Sequence, residues 1–201
     1  DFYSKRDYNK PFRDAKVGML PPKLAQILLN LANTSKVIWD PFCGLGTVPL
    51  EALLMGKKVY ASDISETMIE STEKNIQWLL SEISSIQSAE YKCFQQDASE
   101  KVSLKKVDAV ITEGYLGPPL YLAASEGLRQ KVDRELSFLW ESFFSSASSV
   151  GIKHIILCLP AYRTENRFLY MNETLEIMRR GNYKQKELSR SPRASVVYSR
   201  S

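Results

Sequence analysis

The sequence predicts an α/β fold of Rossmann-like type: a mostly parallel, seven-stranded sheet with helices on both faces and an antiparallel C-terminal hairpin. Three observations predict it. Short apolar runs alternate with longer stretches whose apolar residues recur every three or four positions, the pattern of strands joined by crossover helices. The first run leads into a two-glycine turn at Gly44 and Gly46. Acidic residues stand at the ends of successive runs, where ligands lie in such sheets.

Residues 1–20 show neither period and read as a basic N-terminal arm carrying Lys5, Arg6, Lys10, Arg13 and Lys16; residues 21–201 read as one domain. Pro21 and Pro22 open a helix with Leu24, Ile27, Leu28 and Leu31 on its core-facing stripe. Lys36 to Asp40 is the first strand. Pro49 to Met55 is the first crossover helix, its first turn tolerating Pro49 because the missing N–H would have no partner there, and Gly56 closes it as a left-handed cap. Val59 to Asp63 is the second strand. Ser65 is expected to cap a helix whose buried stripe is Ile69, Thr72, Ile76, Leu79 and Leu80.

Tyr91 to Gln95 and Val107 to Thr112 are the third and fourth strands. Residues 120 to 127 read as a mobile lid, and Leu128, Val132, Leu136, Leu139, Phe143 and Ala147 mark a long helix ending near Gly151. Lys153 to Pro160 reads as a fully buried fifth strand. His154, the only histidine, lies in that run and reads as a core or strand-edge residue in preference to a catalytic base. A last helix around Leu175 and Met178 stops at Gly181, and Tyr183 to Leu188 and Ser195 to Ser199 are strands joined by a Ser-Arg-Ser-Pro-Arg loop.

The chemistry starts at the first turn. Glycines at 44 and 46 remove side chains where a ligand would lie against the backbone, and the helix beyond offers free N–H groups. A dinucleotide fingerprint would carry a third Gly or Ala where Pro49 stands, and Asp40 would repel a phosphate. No Gly-Lys-Ser/Thr ending marks a phosphate-binding loop. An acidic strand end instead suits a cofactor with a cationic amino-acid head, as S-adenosylmethionine (SAM) has. Asp63 stands about 20 residues past the turn, where a carboxylate can accept both hydroxyls of an adenosine ribose.

At these residues the chain resembles a known family. Asp40-Pro41-Phe42-Cys43-Gly44-Leu45-Gly46-Thr47 resembles the cofactor motif of class I SAM-dependent N-methylases. Ala15-Lys16-Val17-Gly18-Met19-Leu20-Pro21-Pro22-Lys23-Leu24-Ala25 resembles the entry segment of THUMP-associated RNA methylases, which methylate the exocyclic amine of guanine in tRNA. The likeness runs from about Lys10 to about Pro119; beyond that it is one of strand order. It implies a class I methyltransferase fold with SAM held by Asp40, Pro41, Phe42, Cys43, Gly44 and Gly46, by Asp63 and Ile64 at the ribose, and by Asp97 and Ala98 at the adenine. It puts Met19 beside the methionine end, although anchoring of the first helix is the plainer reading of Gly18, Met19 and Leu20. It also implies an RNA-gripping domain ahead of this segment, which begins at Asp1 and reads as the C-terminal part of a longer protein.

The fourth strand end departs from the family pattern. Amine methylases there carry Asp/Asn-Pro-Pro-Tyr, whereas this chain has Thr112-Glu113-Gly114-Tyr115-Leu116-Gly117-Pro118-Pro119. The acid is present as Glu113, which also joins the cofactor-binding set; the aromatic Tyr115 follows one residue early, and the two prolines lie downstream. A guanine exocyclic amine is a poor nucleophile because its lone pair is delocalised into the ring. Glu113 can orient its N–H groups and stabilise the positive charge that develops on nitrogen, and Tyr115 can stack on a base drawn out of its helix.

Composition narrows the class. Net charge is +4, from 27 basic and 23 acidic residues, too little alone to mark a nucleic-acid binder, yet both ends are basic. Met178 to Ser201 holds Arg179, Arg180, Lys184, Lys186, Arg190, Arg193 and Arg200 against Glu187. Three cysteines without CxxC or His pairing outline neither a disulfide framework nor a zinc site, so no metal is expected and a cytoplasmic location is. No apolar run is long enough for a membrane span. Cys43 reads as a small packing residue, since carbon methylases place their nucleophilic cysteine after the fourth strand. Three functions stay open: methyl transfer to a nucleobase nitrogen of RNA, most simply N2 of guanine in tRNA; transfer to DNA or a protein side chain; and a SAM- or RNA-binding module without catalysis.

Overall fold

Alternation along each strand decides which helices cover which face. In the computed structural model, which describes residues 10–13, 20–32, 35–117, 126–159, 161–163, 168–170, 172–180, 183–187 and 196–199, five strands run parallel. They are β1 (Val37–Asp40), β2 (Lys58–Asp63), β3 (Tyr91–Gln95), β4 (Ala109–Thr112) and β5 (His154–Leu157), in the order β3-β2-β1-β4-β5. Ile38, Val59, Ala61, Ala109, Ile111 and Ile156 point to one side and pack with helices α1 (Pro22–Leu31), α2 (Thr47–Leu54) and α3 (Glu66–Glu82). Their sequence neighbours Trp39, Tyr60, Val110, Ile155 and Leu157 point to the other, against α4 (Glu126–Ser149) and α5 (Asn172–Arg180). A period of two in four- to six-residue strands, buried on both sides, thus builds two cores on one sheet.

The second core is aromatic. Trp39, Trp140, Phe143, Phe144 and Tyr183 are buried, and Phe42 tilts against Trp140 with ring centroids 5.3 Å apart. Each such side chain contributes about 1.5–3 kcal/mol by leaving water. Outside β5 lie β9 (Val196–Ser199), antiparallel to β5 with Ile155 opposite Tyr198, and β8 (Lys184–Glu187), antiparallel to β9. Two short strands, β6 (Ala161–Arg163) and β7 (Phe168–Tyr170), form a separate antiparallel pair that the sequence pattern did not reveal.

Several expectations need correction. On α1 the buried residues are Pro22, Ala25, Leu28 and Leu29, while Ile27 is exposed; the core stripe lies one position around from the expected one. Ser65 occupies the N-cap of α3, yet its hydroxyl makes no capping bond; its carbonyl receives the N–H groups of Met68 and Ile69 instead. The fifth strand is not buried throughout: Lys153 and His154 are exposed where it begins, at the end of the sheet away from the strand termini discussed below. Leu128 is also exposed, and Trp140 and Phe144 hold the face of α4 that the expected stripe omitted. Most of the segment 120–127 read as a lid lies outside the described residues.

Candidate functional site

Strand order reverses between β1 and β4, so the chain leaves these two neighbours in opposite directions and a crevice opens at their carboxyl ends. A cleft of about 710 Å³ lies there. Of the expected site residues, Asp40, Pro41, Phe42, Cys43, Gly44, Asp63, Ile64, Asp97, Ala98, Glu113 and Tyr115 line it. Met19 lies outside the described residues, and Gly46 is not on the cleft wall.

The two glycines divide the work. Both have positive φ, +51° at Gly44 and +83° at Gly46. A Cβ on Gly44 would meet nothing within 4 Å, so its missing side chain leaves the cleft open. A Cβ on Gly46 would meet Thr72 Cγ2 at 2.9 Å and Leu50 Cδ1 at 3.1 Å. Gly46 is therefore required for seating the turn on α3, and the expectation that it makes room for a ligand is corrected.

The turn is held from behind. Thr72 Oγ1 donates to the Gly44 carbonyl at 2.7 Å, and Asn75 Nδ2 donates to the Leu45 carbonyl at 3.0 Å. On the other side, Asp63 accepts the Gly44 N–H at 3.0 Å through one oxygen and the Ser65 N–H at 3.0 Å through the other. Asp63 thereby ties the end of β2 to the turn while facing the cleft. Asp97 accepts both the N–H and the hydroxyl of Ser99, at 2.8 and 2.7 Å, which fixes its carboxylate on the wall. Ile64 is 65% exposed beside Asp63, an apolar surface at the cleft mouth.

Asp40 is the most perturbed acid. It is 2% exposed, and burial pushes its pKa from 3.8 up to about 7, against the opposing hydrogen bonds from the Thr112 side chain and the Phe42 N–H. The negative charges of Asp63 and Glu113 push it the same way. Burial also raises the Glu113 pKa from its ordinary value. Burial, with Asp40 nearby, holds the Cys43 thiol well above its usual value, which makes it a poor nucleophile.

Glu113, Gly114 and Tyr115 follow β4 into the cleft. Trp140 underlies them so closely that a Cβ on Gly114 would lie 2.8 Å from its ring. Tyr115 is half exposed and not packed in the core. Sequence reasoning missed Thr112, Trp140, and the wall that α4 supplies through Glu135, Phe138 and Leu139. The helical stripe shows which residues face a core; it does not show which ones rim a cleft.

The described lining carries five acids, Asp40, Asp63, Asp97, Glu113 and Glu135, and neither Lys nor Arg. Such a cleft favours a cation and disfavours phosphate. Residues 10–113 match the family model described as the RMKL-like methyltransferase domain. The chain belongs to this family. A relative of Methanothermobacter thermautotrophicus, named tRNA (guanine(10)-N2)-dimethyltransferase, is 31% identical over 162 residues, which are 80% of this chain and 43% of that protein. One of Methanocaldococcus jannaschii with the same name is 32% identical over 120 residues, 57% of this chain and 33% of that one. The chain thus spans less than half the length of these curated relatives. Among solved structures, magnesium protoporphyrin IX methyltransferase of Synechocystis, crystallised with bound SAM, superposes with a TM-score of 0.54 at 20% identity, over 89% of this chain and 77% of that one. This likeness is one of fold.

Proposed function

We propose that this domain transfers a methyl group from SAM to an exocyclic nitrogen of a nucleobase in RNA, with N2 of guanine in tRNA as the target. The observation that carries the reading is the cleft at the β1/β4 crevice, whose described charged residues are all acidic, with Glu113 and Tyr115 on its wall. The two relatives named for tRNA guanine-N2 dimethylation support that target.

The residues fit the cofactor. Gly44 leaves backbone surface open, Asp63 offers carboxylate oxygens for ribose hydroxyls, Asp97 and Ala98 on the cleft wall would read an adenine edge, and Ile64 would cover its face. Asp40 would face the cationic methionine end. When bound, the cofactor supplies an electrophilic methyl on sulfur, whose C–S electron pair leaves with the thioether. Glu113 accepts an N–H of the target amine and favours the charge that grows on nitrogen; its burial-raised pKa suits it to taking the proton that the amine must lose. Tyr115, half exposed at the mouth, stacks on the extruded base. In this reading β8 and β9 complete a seven-stranded sheet with a terminal hairpin, and residues 21–201 form the methylase domain behind a basic arm of residues 1–20.

Incubation with methyl-labelled SAM and, separately, unmodified tRNA, ribosomal RNA and DNA tests the reading. Label in tRNA that digests to N2-methylated guanosine supports it. Transfer to DNA alone, or cofactor binding without transfer to any nucleic acid, overturns it.

A further inference from the structure

Asn75 is buried, with no exposed surface, in the middle of α3 on the stripe that also holds Thr72, Ile76 and Leu79. Asn is a weaker helix former than Leu or Ala, and an amide buried without partners costs about 1–3 kcal/mol. Packing alone would place an apolar residue there. Its hydrogen bonds explain the amide. Oδ1 accepts the Phe12 N–H at 3.0 Å and Nδ2 donates to the Phe12 carbonyl at 3.1 Å, pairing that residue's backbone as a neighbouring strand would. Nδ2 also donates to the Leu45 carbonyl at 3.0 Å. One side chain therefore binds residues 63 positions before it and 30 positions before it.

Residues 10–13 hold to the same region at other points. Lys10, itself buried, donates from Nζ to Thr47 Oγ1 at 3.3 Å, and the Lys74 ammonium lies 5.1 Å from the centre of the Phe12 ring. Gly44, Leu45 and Thr47 line the cleft, while residues 10–13 do not. Among the described contacts, this segment meets the cleft lining at Thr47 directly and at Leu45 through Asn75.

We propose that Asn75 is a positioning residue that fastens the segment around Phe12 to the cofactor turn, so that seating of this segment and affinity for the adenosyl ligand are coupled. The inference rests on the proposed SAM-dependent activity. It assigns to α3 and residues 10–13 a part in cofactor binding that cleft contact alone would not give them.

Three variants of the full chain test it. Asn75→Asp keeps the volume and the acceptor but removes both N–H donors. Phe12→Pro removes the single N–H donated to Oδ1, at a surface position. Phe12→Ala keeps the backbone pairing and serves as the control. SAM affinity by calorimetry and steady-state kinetics are the readouts. Asn75→Asp and Phe12→Pro are each expected to raise Kd and KM for SAM by about fivefold or more, the scale of the two hydrogen bonds lost in the first and the one lost in the second, with kcat at saturation held within about twofold. The double variant should lose less than the sum of the two singles, because each breaks part of the same Asn75–Phe12 pairing. Phe12→Ala should stay within about threefold of the parent in affinity.

Unchanged SAM affinity in both variants overturns the inference and leaves the methylase reading standing. A loss that falls on kcat as much as on KM, or adds fully in the double variant, overturns it too. If the parent protein binds no SAM, the functional reading falls and takes this inference with it.

Discussion

Asp40 sets the strongest prediction at the scale of single residues. Its folded pKa of about 7 lies above the ordinary 3.8, so between those values the native protein holds a proton that the unfolded chain has released. Its contribution to stability is therefore greatest at low pH and is lost as pH rises towards about 7. A cationic ligand needs the ionised form. SAM affinity should accordingly fall as pH drops through about 7, and Asp40→Asn should flatten that profile, weaken binding, and raise the thermal midpoint of the ligand-free protein at pH 8. A steep affinity profile that survives in Asp40→Asn would contradict this. The glycines make a second test. Gly44→Ala should cost about 1–2 kcal/mol through its left-handed backbone alone, yet hinder the ligand. Gly46→Ala adds overpacking of about 1–3 kcal/mol against Thr72 and Leu50, and denaturant titration should rank it the less stable. Glu113→Gln should lower kcat by about two orders of magnitude, a larger loss than it causes in SAM affinity.

At the scale of elements, α3 does more than fill a core. Its Thr72 and Asn75 hold the carbonyls of Gly44 and Leu45, so the turn presents its other side to the cleft. Thr72→Val, which keeps the shape and drops the hydroxyl, should weaken SAM binding more than it weakens the fold; equal losses in calorimetry and denaturation would argue against it. On the opposite face, Phe143→Ala should cost about 3–5 kcal/mol in urea titration, since its ring packs between Trp39, Trp140 and Phe144. The periods of two and 3.6 made most of these elements legible: β3 spans the expected Tyr91 to Gln95, and the other four parallel strands differ from expectation only at their ends. The pattern failed where apolar residues were too many or too few. On α1, Ile27 matches the period as well as Ala25 does, and only packing separates them. Strands as short as Ala161–Arg163 hold too few residues to show any alternation.

At the scale of the whole molecule, acids placed far apart in sequence meet because parallel strands end at one edge of the sheet. That was legible, since Asp40, Asp63, Asp97 and Glu113 each follow a stretch that reads as a strand. What α4 adds was not: Glu135, Phe138 and Leu139 reach the cleft through tertiary packing that no local period encodes. No helix among the described residues is long and apolar enough to cross a membrane. Binding to the native state alone raises stability by about 2.7 kcal/mol at a ligand concentration one hundred times Kd, so SAM should raise the thermal midpoint.

Calorimetric titration of SAM into the parent protein and into Asp63→Ala asks directly whether the acidic rim is the cofactor site. The expected result is one site per chain in the parent and at least about a tenfold loss in the variant, about 1.4 kcal/mol. Equal affinity in the two proteins would contradict it.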